Sequence, residues 1–207
     1  MEHTHEHAVR HRVATLGPAG TDAEAEARRF FDDVVLADSF EGAMRAALDS
    51  GTHALVAAGF VQRTGAQVTD LWVDLHFRHL DRMRIVGVWE SPTKPMCAAT
   101  GPRVACLADV RSIALHPATD VFAGQFTPGA ERLYVNAKPL AAQRAAEGAV
   151  DGCIGSVDVV ERHPELTVRE VFHPTMVWVL YQPLVQGELP SPRTTMNHVK
   201  SLLLSGA

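Results

Sequence analysis

The segment Val13-Ala-Thr-Leu-Gly-Pro-Ala-Gly-Thr21, followed by Asp22-Ala-Glu24, carries residue types suited to holding an anion. Pro18 presets one turn residue and Gly20 permits a positive φ, so the amides around Gly20 and Thr21 can face a ligand. Thr21 and Glu24 have the capping-box spacing, and a helix starting there offers free N–H groups and a positive dipole end. Two further strand-to-helix turns repeat the theme: Thr119-Asp120, and Asn136-Ala-Lys138-Pro139-Leu140, where Lys138 adds a full charge. The expected cargo is a small acid. A purely structural turn is the open alternative at Gly17-Pro-Ala-Gly20, because glycine turns are common punctuation. The spacing matches neither the dinucleotide fingerprint nor the Walker loop.

These residues need a scaffold to position them, and 207 residues with 46% hydrophobic content can bury one compact core or two small lobes. A formal net charge of -5 without a concentrated basic face argues against nucleic acid as the main partner. Cys97, Cys106 and Cys153 lack CxxC spacing, so neither a disulfide framework nor structural zinc is expected, and a reduced cytoplasm fits best. The N-terminal run lacks the apolar core of a secretory signal, and no stretch reads as a membrane span. His3, His5, His7 and His11 could clasp a transition metal. Their alternation with Glu2, Thr4 and Glu6 reads instead as a solvated tail, so no metal and no cofactor are expected.

Strands and helices alternate along the chain. The pattern predicts a strand from Val13, a helix from Ala23 to about Phe31, a strand at Val34–Ala37, a helix over Phe40–Leu48 capped by Ser39, and a strand at Ala54–Ala58. This βαβαβ order predicts parallel pairing with ligands beyond the carboxyl ends of the strands. Residues from Gly59 to about Val73 read as a loop carrying Phe60, Gln62, Arg63 and Trp72. Strands follow at Met83–Trp89 and Met96–Ala99, with a turn over Ser91–Pro95. The alternation then resumes: strand Ser112–Leu115, helix Thr119–Phe126, strand Arg132–Val135, helix Leu140–Glu147, strand Asp151–Ile154 and helix Val157–Arg162. Strands at Leu166–Phe172 and Met176–Tyr181 close the series, with Leu202-Leu-Leu204 beyond as a packed helix or a partner contact.

The ordered set Gly17-Pro-Ala-Gly-Thr21, Phe40-Glu-Gly-Ala43, Ala54-Leu-Val56, His116-Pro117, Asn136-Ala-Lys138 with Ala141-Ala142, and Asp151-Gly-Cys-Ile154 resembles the catalytic domain of prephenate dehydratases over roughly Val13 to Tyr181. The resemblance implies an α/β, two-lobed type II periplasmic-binding-protein-like fold with a ligand cleft between the lobes. Its lobes would be residues 12–92 plus 173–190 and residues 93–172, with 1–11 a disordered His-rich tail and 191–207 a C-terminal tail or helix. It also implies a small carboxylic acid as partner, a possible homodimer, and no room for a C-terminal regulatory domain. Where the family carries Thr-Arg-Phe this chain has Met176-Val-Trp178, its Glu-Asn-Ser segment is replaced around Ala58-Gly-Phe60, and its Ser-Thr pair by Ala137-Lys138. These replacements are similar to those of the non-aromatising prephenate decarboxylases of bacilysin-type antibiotic biosynthesis, although that branch keeps a Thr-bearing turn where this chain has Lys138-Pro139.

Under that resemblance one carboxylate of prephenate is anchored while the ring carboxylate leaves as carbon dioxide. Gly20, Thr21, Thr119, Asn136 and Lys138 would serve as anchor, and Phe60, Met176 and Trp178 as poorly hydrated walls. Retaining the ring hydroxyl requires a proton donor near the diene, for which His116 is the candidate. Its alternative role is a turn residue bonded to the backbone. Arg63 and Arg144 are looser alternatives for the anchor, and Asp22 would repel an acid beside the Gly20 turn. The function read from the resemblance is decarboxylation without aromatisation. The rivals are a prephenate dehydratase, an enzyme of another carboxylic acid, and a binding protein that has lost catalysis.

Overall fold

The computed structural model describes residues 11–64, 67–135 and 138–184. The His3, His5 and His7 tail, Asn136 and the Leu202–Leu204 run therefore lie outside the described residues. The chain divides into two compact units, one of Met1–Ala58, Trp72–Glu90 and Val177–Ala207, the other of Gly59–Leu71 and Ser91–Met176.

In the first unit, β1 (Arg12–Leu16) pairs in parallel with β2 (Asp33–Ala37) and β3 (His53–Ala57). The crossovers are α1 (Asp22–Arg28) and α2 (Phe40–Ser50). Ser39 caps α2 by accepting the Gly42 amide, and Gly51 closes it, as the sequence predicts. Apolar residues at helical spacing, Phe40, Ala43, Met44 and Ala47, turn inward onto strands whose Val13, Leu55 and Val56 are fully buried. The five-stranded sheet runs β2-β1-β3-β12-β6, with β6 over Met83–Pro92 and β12 over Thr175–Pro183, β12 antiparallel to β3. The turn expected over Ser91–Pro95 begins later, because β6 continues to Pro92.

Residues 59–71, expected as a first-lobe loop, instead form a hairpin of β4 (Val61–Thr64) and β5 (Gln67–Leu71) that clusters with the second unit. The next seven residues form α3 (Trp72–Arg78) of the first unit. Such short strands, mostly half or fully exposed, carry little hydrophobic alternation, which is why periodicity does not register them.

The second unit contains the sheet β11-β7-β10-β8-β9. Its strands are β7 (Met96–Thr100), β8 (Ser112–Leu115), β9 (Glu131–Tyr134), β10 (Gly152–Ser156) and β11 (Thr167–Phe172). Here β8 is parallel to β9 and β10, whereas β7 is antiparallel to both neighbours. Helices α4 (Asp120–Phe126), α5 (Lys138–Ala146) and α6 (Val157–Val160) complete it. Gly155 and Ser156, read as a turn, are part of β10 because that strand is buried throughout.

Alternation along these strands sorts the core into two faces. Cys97, Ala99, Ala114 and Cys153 meet Ala141, Ala142 and Ala145 of α5, while Met96, Ala98, Ile113, Leu115 and Ile154 pack with Ala123. Burial pushes the Cys97 thiol up to about 11 and the Cys153 thiol up to about 12, so both are inert apolar packing. Asp151 fastens β10 to β8: its Oδ2 accepts the Arg111 and Ser112 amides, each at 3.0 Å. Those bonds, the Arg111 amide first, hold its carboxyl below the usual carboxylate range.

Candidate functional site at the carboxyl ends of β8 and β9

In the second unit the parallel strands β8 and β9 end side by side, Leu115 opposite Tyr134, and each feeds a turn. His116 follows β8 and caps a 3-10 turn over Pro117–Thr119. The Ala118 amide donates to His116 Nδ1 at 3.2 Å. An Nδ1 that accepts leaves the neutral ring's proton on Nε2, which is then a donor. Burial, with the positive charge of Lys138 adding to it, pushes the imidazole down to about 4. At neutral pH His116 is therefore a hydrogen-bond donor and not a store of an acidic proton. This revises the general-acid expectation, and the backbone-bonded turn role weighed beside it describes the Nδ1 atom well.

Lys138 opens α5, three positions beyond the described end of the β9 connection at Val135, and is close enough to perturb His116 electrostatically. Thr119 is buried, with both its hydroxyl, at 2.7 Å, and its amide, at 2.9 Å, donating to the His116 carbonyl. Its expected part as an open anion donor is corrected by those bonds: it fixes the turn that carries His116. The β4–β5 hairpin packs against this same turn, bringing Arg63 with its guanidinium carbon 5.0 Å from the Tyr134 ring centroid. Tyr134 in turn donates to Asp120 Oδ1 at 3.0 Å, and Arg132 lies 3.5 Å from the same oxygen. Burial and the neighbouring Asp120 push the Tyr134 hydroxyl's pKa up, so it stays protonated.

Phe60 and Met176 also belong to this unit. Both are half-buried, and Met176 lies so close to Gly59 that a Cβ there would stand 3.1 Å from its sulfur. The second unit thus gathers His116, Thr119, Lys138, Phe60 and Met176 of the residues singled out from sequence, with Asn136 outside the described residues. Arg144 is exposed and pairs with Glu147 at 3.6 Å, which leaves Arg63 as the better placed of the two looser arginines. Sequence reasoning misses Tyr134, because a tyrosine in a short strand has no distinguishing spacing.

Gly20, Thr21 and Trp178 belong to the first unit. Gly20 takes the expected positive φ of 89°, but its amide donates to Glu24 Oε2 at 2.5 Å. The Thr21 hydroxyl donates to the Leu16 carbonyl at 3.0 Å and accepts the Glu24 amide at 3.2 Å. The chain's own carboxylate therefore fills the anion cradle expected there, a correction that follows from Glu24 reaching one residue further back than a capping box requires. Trp178 pairs with Ala57 and is 2% exposed, buried within the first unit and away from the residues gathered in the second.

Several solved structures are similar to this chain in fold. The chain aligns with the VFT2 domain of Bordetella pertussis BvgS, a periplasmic domain, over 94% of its own length and 87% of that chain, with a TM-score of 0.54 and 15% identity. A structure described as a periplasmic transporter aligns over 95% of this chain and 82% of its own, with a TM-score of 0.54 and 10% identity. The fold is periplasmic-binding-protein-like. Prephenate dehydratases share it: the enzyme from Arthrobacter aurescens, solved in complex with L-Phe, aligns over 87% of this chain with a TM-score of 0.56 and 16% identity. This chain spans 61% of that dehydratase's length. No family model matches the sequence, and no curated protein matches it. Among the described residues no group of histidine, cysteine and carboxylate side chains is arranged to hold a metal, and no helix is long and apolar enough to cross a membrane.

Proposed function

We propose that this periplasmic-binding-protein-like chain binds a small organic acid at the His116–Lys138 corner, and that the acid is prephenate, which it decarboxylates without aromatisation. The observation that carries the reading is a neutral imidazole held beside a lysine at the carboxyl ends of parallel strands, where this class of sheet takes its ligands. Lys138 supplies charge for a carboxylate, and the His116 Nε2–H supplies direction. Arg63, on the hairpin packed against the same turn, offers a second cation for a substrate with two carboxylates.

In the reaction the bond from the ring to its carboxylate breaks, carbon dioxide departs, and the released electron pair shifts through the diene to take a proton. With the His116 imidazole held mostly neutral at pH 7, solvent water supplies that proton in this reading, and the ring hydroxyl stays in place. Incubating the protein with prephenate should yield a dihydro-4-hydroxyphenylpyruvate. Phenylpyruvate would instead mark a dehydratase. Thermal stabilisation by prephenate without turnover would mark the second reading, a binding protein, which the lack of an acidic proton at His116 favours. Substituting Lys138→Ala should weaken prephenate binding roughly ten- to hundredfold, the range expected on losing a charged hydrogen-bond donor. Calorimetric titration checks this, and unchanged affinity would remove Lys138 from the site.

A further inference from the structure

The hairpin that carries Arg63 gives it little support of its own. Strands β4 and β5 are four and five residues long and, among the described residues, form a separate two-stranded sheet. A pair of this size is weakly stable by itself. Their register also shifts between Gln62 and Arg63, an irregularity of the kind that re-aims a side chain. What the guanidinium meets is the ring of Tyr134, its carbon 5.0 Å from the centroid.

That ring is fixed from several directions. Tyr134 ends β9, and the next amide, that of Val135, donates to the Leu115 carbonyl at 3.0 Å, one residue before His116. The Tyr134 side chain packs against the core face of Ile113, Leu115 and Ile154. Its hydroxyl donates to Asp120 Oδ1 at 3.0 Å, at the start of α4. A guanidinium stacked on a ring is engaged through its face, while its N–H donors lie in its plane, where a carboxylate can take two at once. Ordering a long cation before the ligand arrives removes part of the entropy that binding would otherwise cost. Two acids lie on the elements involved. Asp120 is 3.5 Å from Arg132 Nε, which offsets its charge, and Asp70, opposite Gln62 in the hairpin, accepts the Leu71 amide at 2.9 Å.

We propose that Tyr134 is a positioning residue: its ring face holds Arg63 ready for the second carboxylate of the acid, an inference that rests on the reading of a two-carboxylate ligand at the His116–Lys138 corner. The readout is the ratio of the affinities, by calorimetric titration, for prephenate and for phenylpyruvate, which keeps the pyruvyl carboxylate and lacks the ring one. The parent should favour prephenate by about tenfold or more, and Tyr134→Leu should cut that preference roughly five- to tenfold while phenylpyruvate affinity holds. Tyr134→Phe keeps the ring and loses only the bond to Asp120, so its ratio should stay within about threefold of the parent's. Arg63→Lys keeps the charge without the planar fork, leaves Tyr134 intact, and should lose the preference as Tyr134→Leu does. A Tyr134→Leu or Arg63→Lys protein that retains the parent's ratio would overturn the inference alone. So would an equal loss in Asp70→Asn, which would give the support of Arg63 to that carboxylate. A parent that binds both acids equally, or binds neither, would overturn the two-carboxylate reading itself and this inference with it.

Discussion

Between pH 6.5 and 4 the protein should lose about 3 kcal/mol of stability that a His116→Gln variant does not lose, because the folded imidazole sits at about 4 against an ordinary 6.5. The folded pKa is depressed, so the contribution is fully present above pH 6.5. As pH falls through this window the unfolded chain takes up a proton that the folded chain refuses, and the loss levels off below about pH 4. Burial is the larger cause and the Lys138 charge the second, so Lys138→Ala should move the folded pKa upward and shrink the effect without abolishing it. Denaturant unfolding of parent and His116→Gln at pH 7 and at pH 4.5 isolates the imidazole's contribution, since carboxylate protonation is common to both proteins. Parallel losses in the two would mean that the ring is not held neutral.

A larger loss is expected from a single methyl group. A Cβ at Gly152 would stand 2.6 Å from the Ala99 carbonyl oxygen, in a strand paired with both β7 and β8. Neither neighbour can retreat without breaking its own ladder, so Gly152→Ala should cost roughly 3 kcal/mol or more. At Gly124, in α4, a Cβ would meet nothing within 4 Å, so Gly124→Ala should be neutral or stabilising by up to about 1 kcal/mol. Comparing the two melting curves checks the contrast. A Gly152→Ala protein as stable as the parent would show that β10 is not clamped as described. The strand matters for function because β10 supports β8, and β8 carries His116.

The elements legible in the sequence are those whose periodicity and caps agree. Ser39, the inward row from Phe40 to Ala47 and Gly51 together define α2, and the alternating strands on either side define the parallel order of β1, β2 and β3. The β4–β5 hairpin is not legible, since its half-exposed residues carry no core signal and its place depends on contacts with a turn far along the chain. At the candidate site, the turns holding His116 and Lys138 can be located, but not the protonation state of the ring, which burial decides. The Gly20 turn has the expected backbone and a different partner: spacing alone cannot tell a cradle awaiting a ligand from one closed by Glu24. Trp178 suits a wall in sequence terms because a large aromatic serves equally as core or lining until its burial is known.

The most direct test of the account is the NMR titration of the His116 imidazole with and without prephenate. A carboxylate bound between Lys138 and the Nε2–H should offset the lysine charge and raise the imidazole from about 4 by roughly a unit or more, and Lys138→Ala should blunt that response. An imidazole that titrates identically with and without saturating prephenate would contradict it.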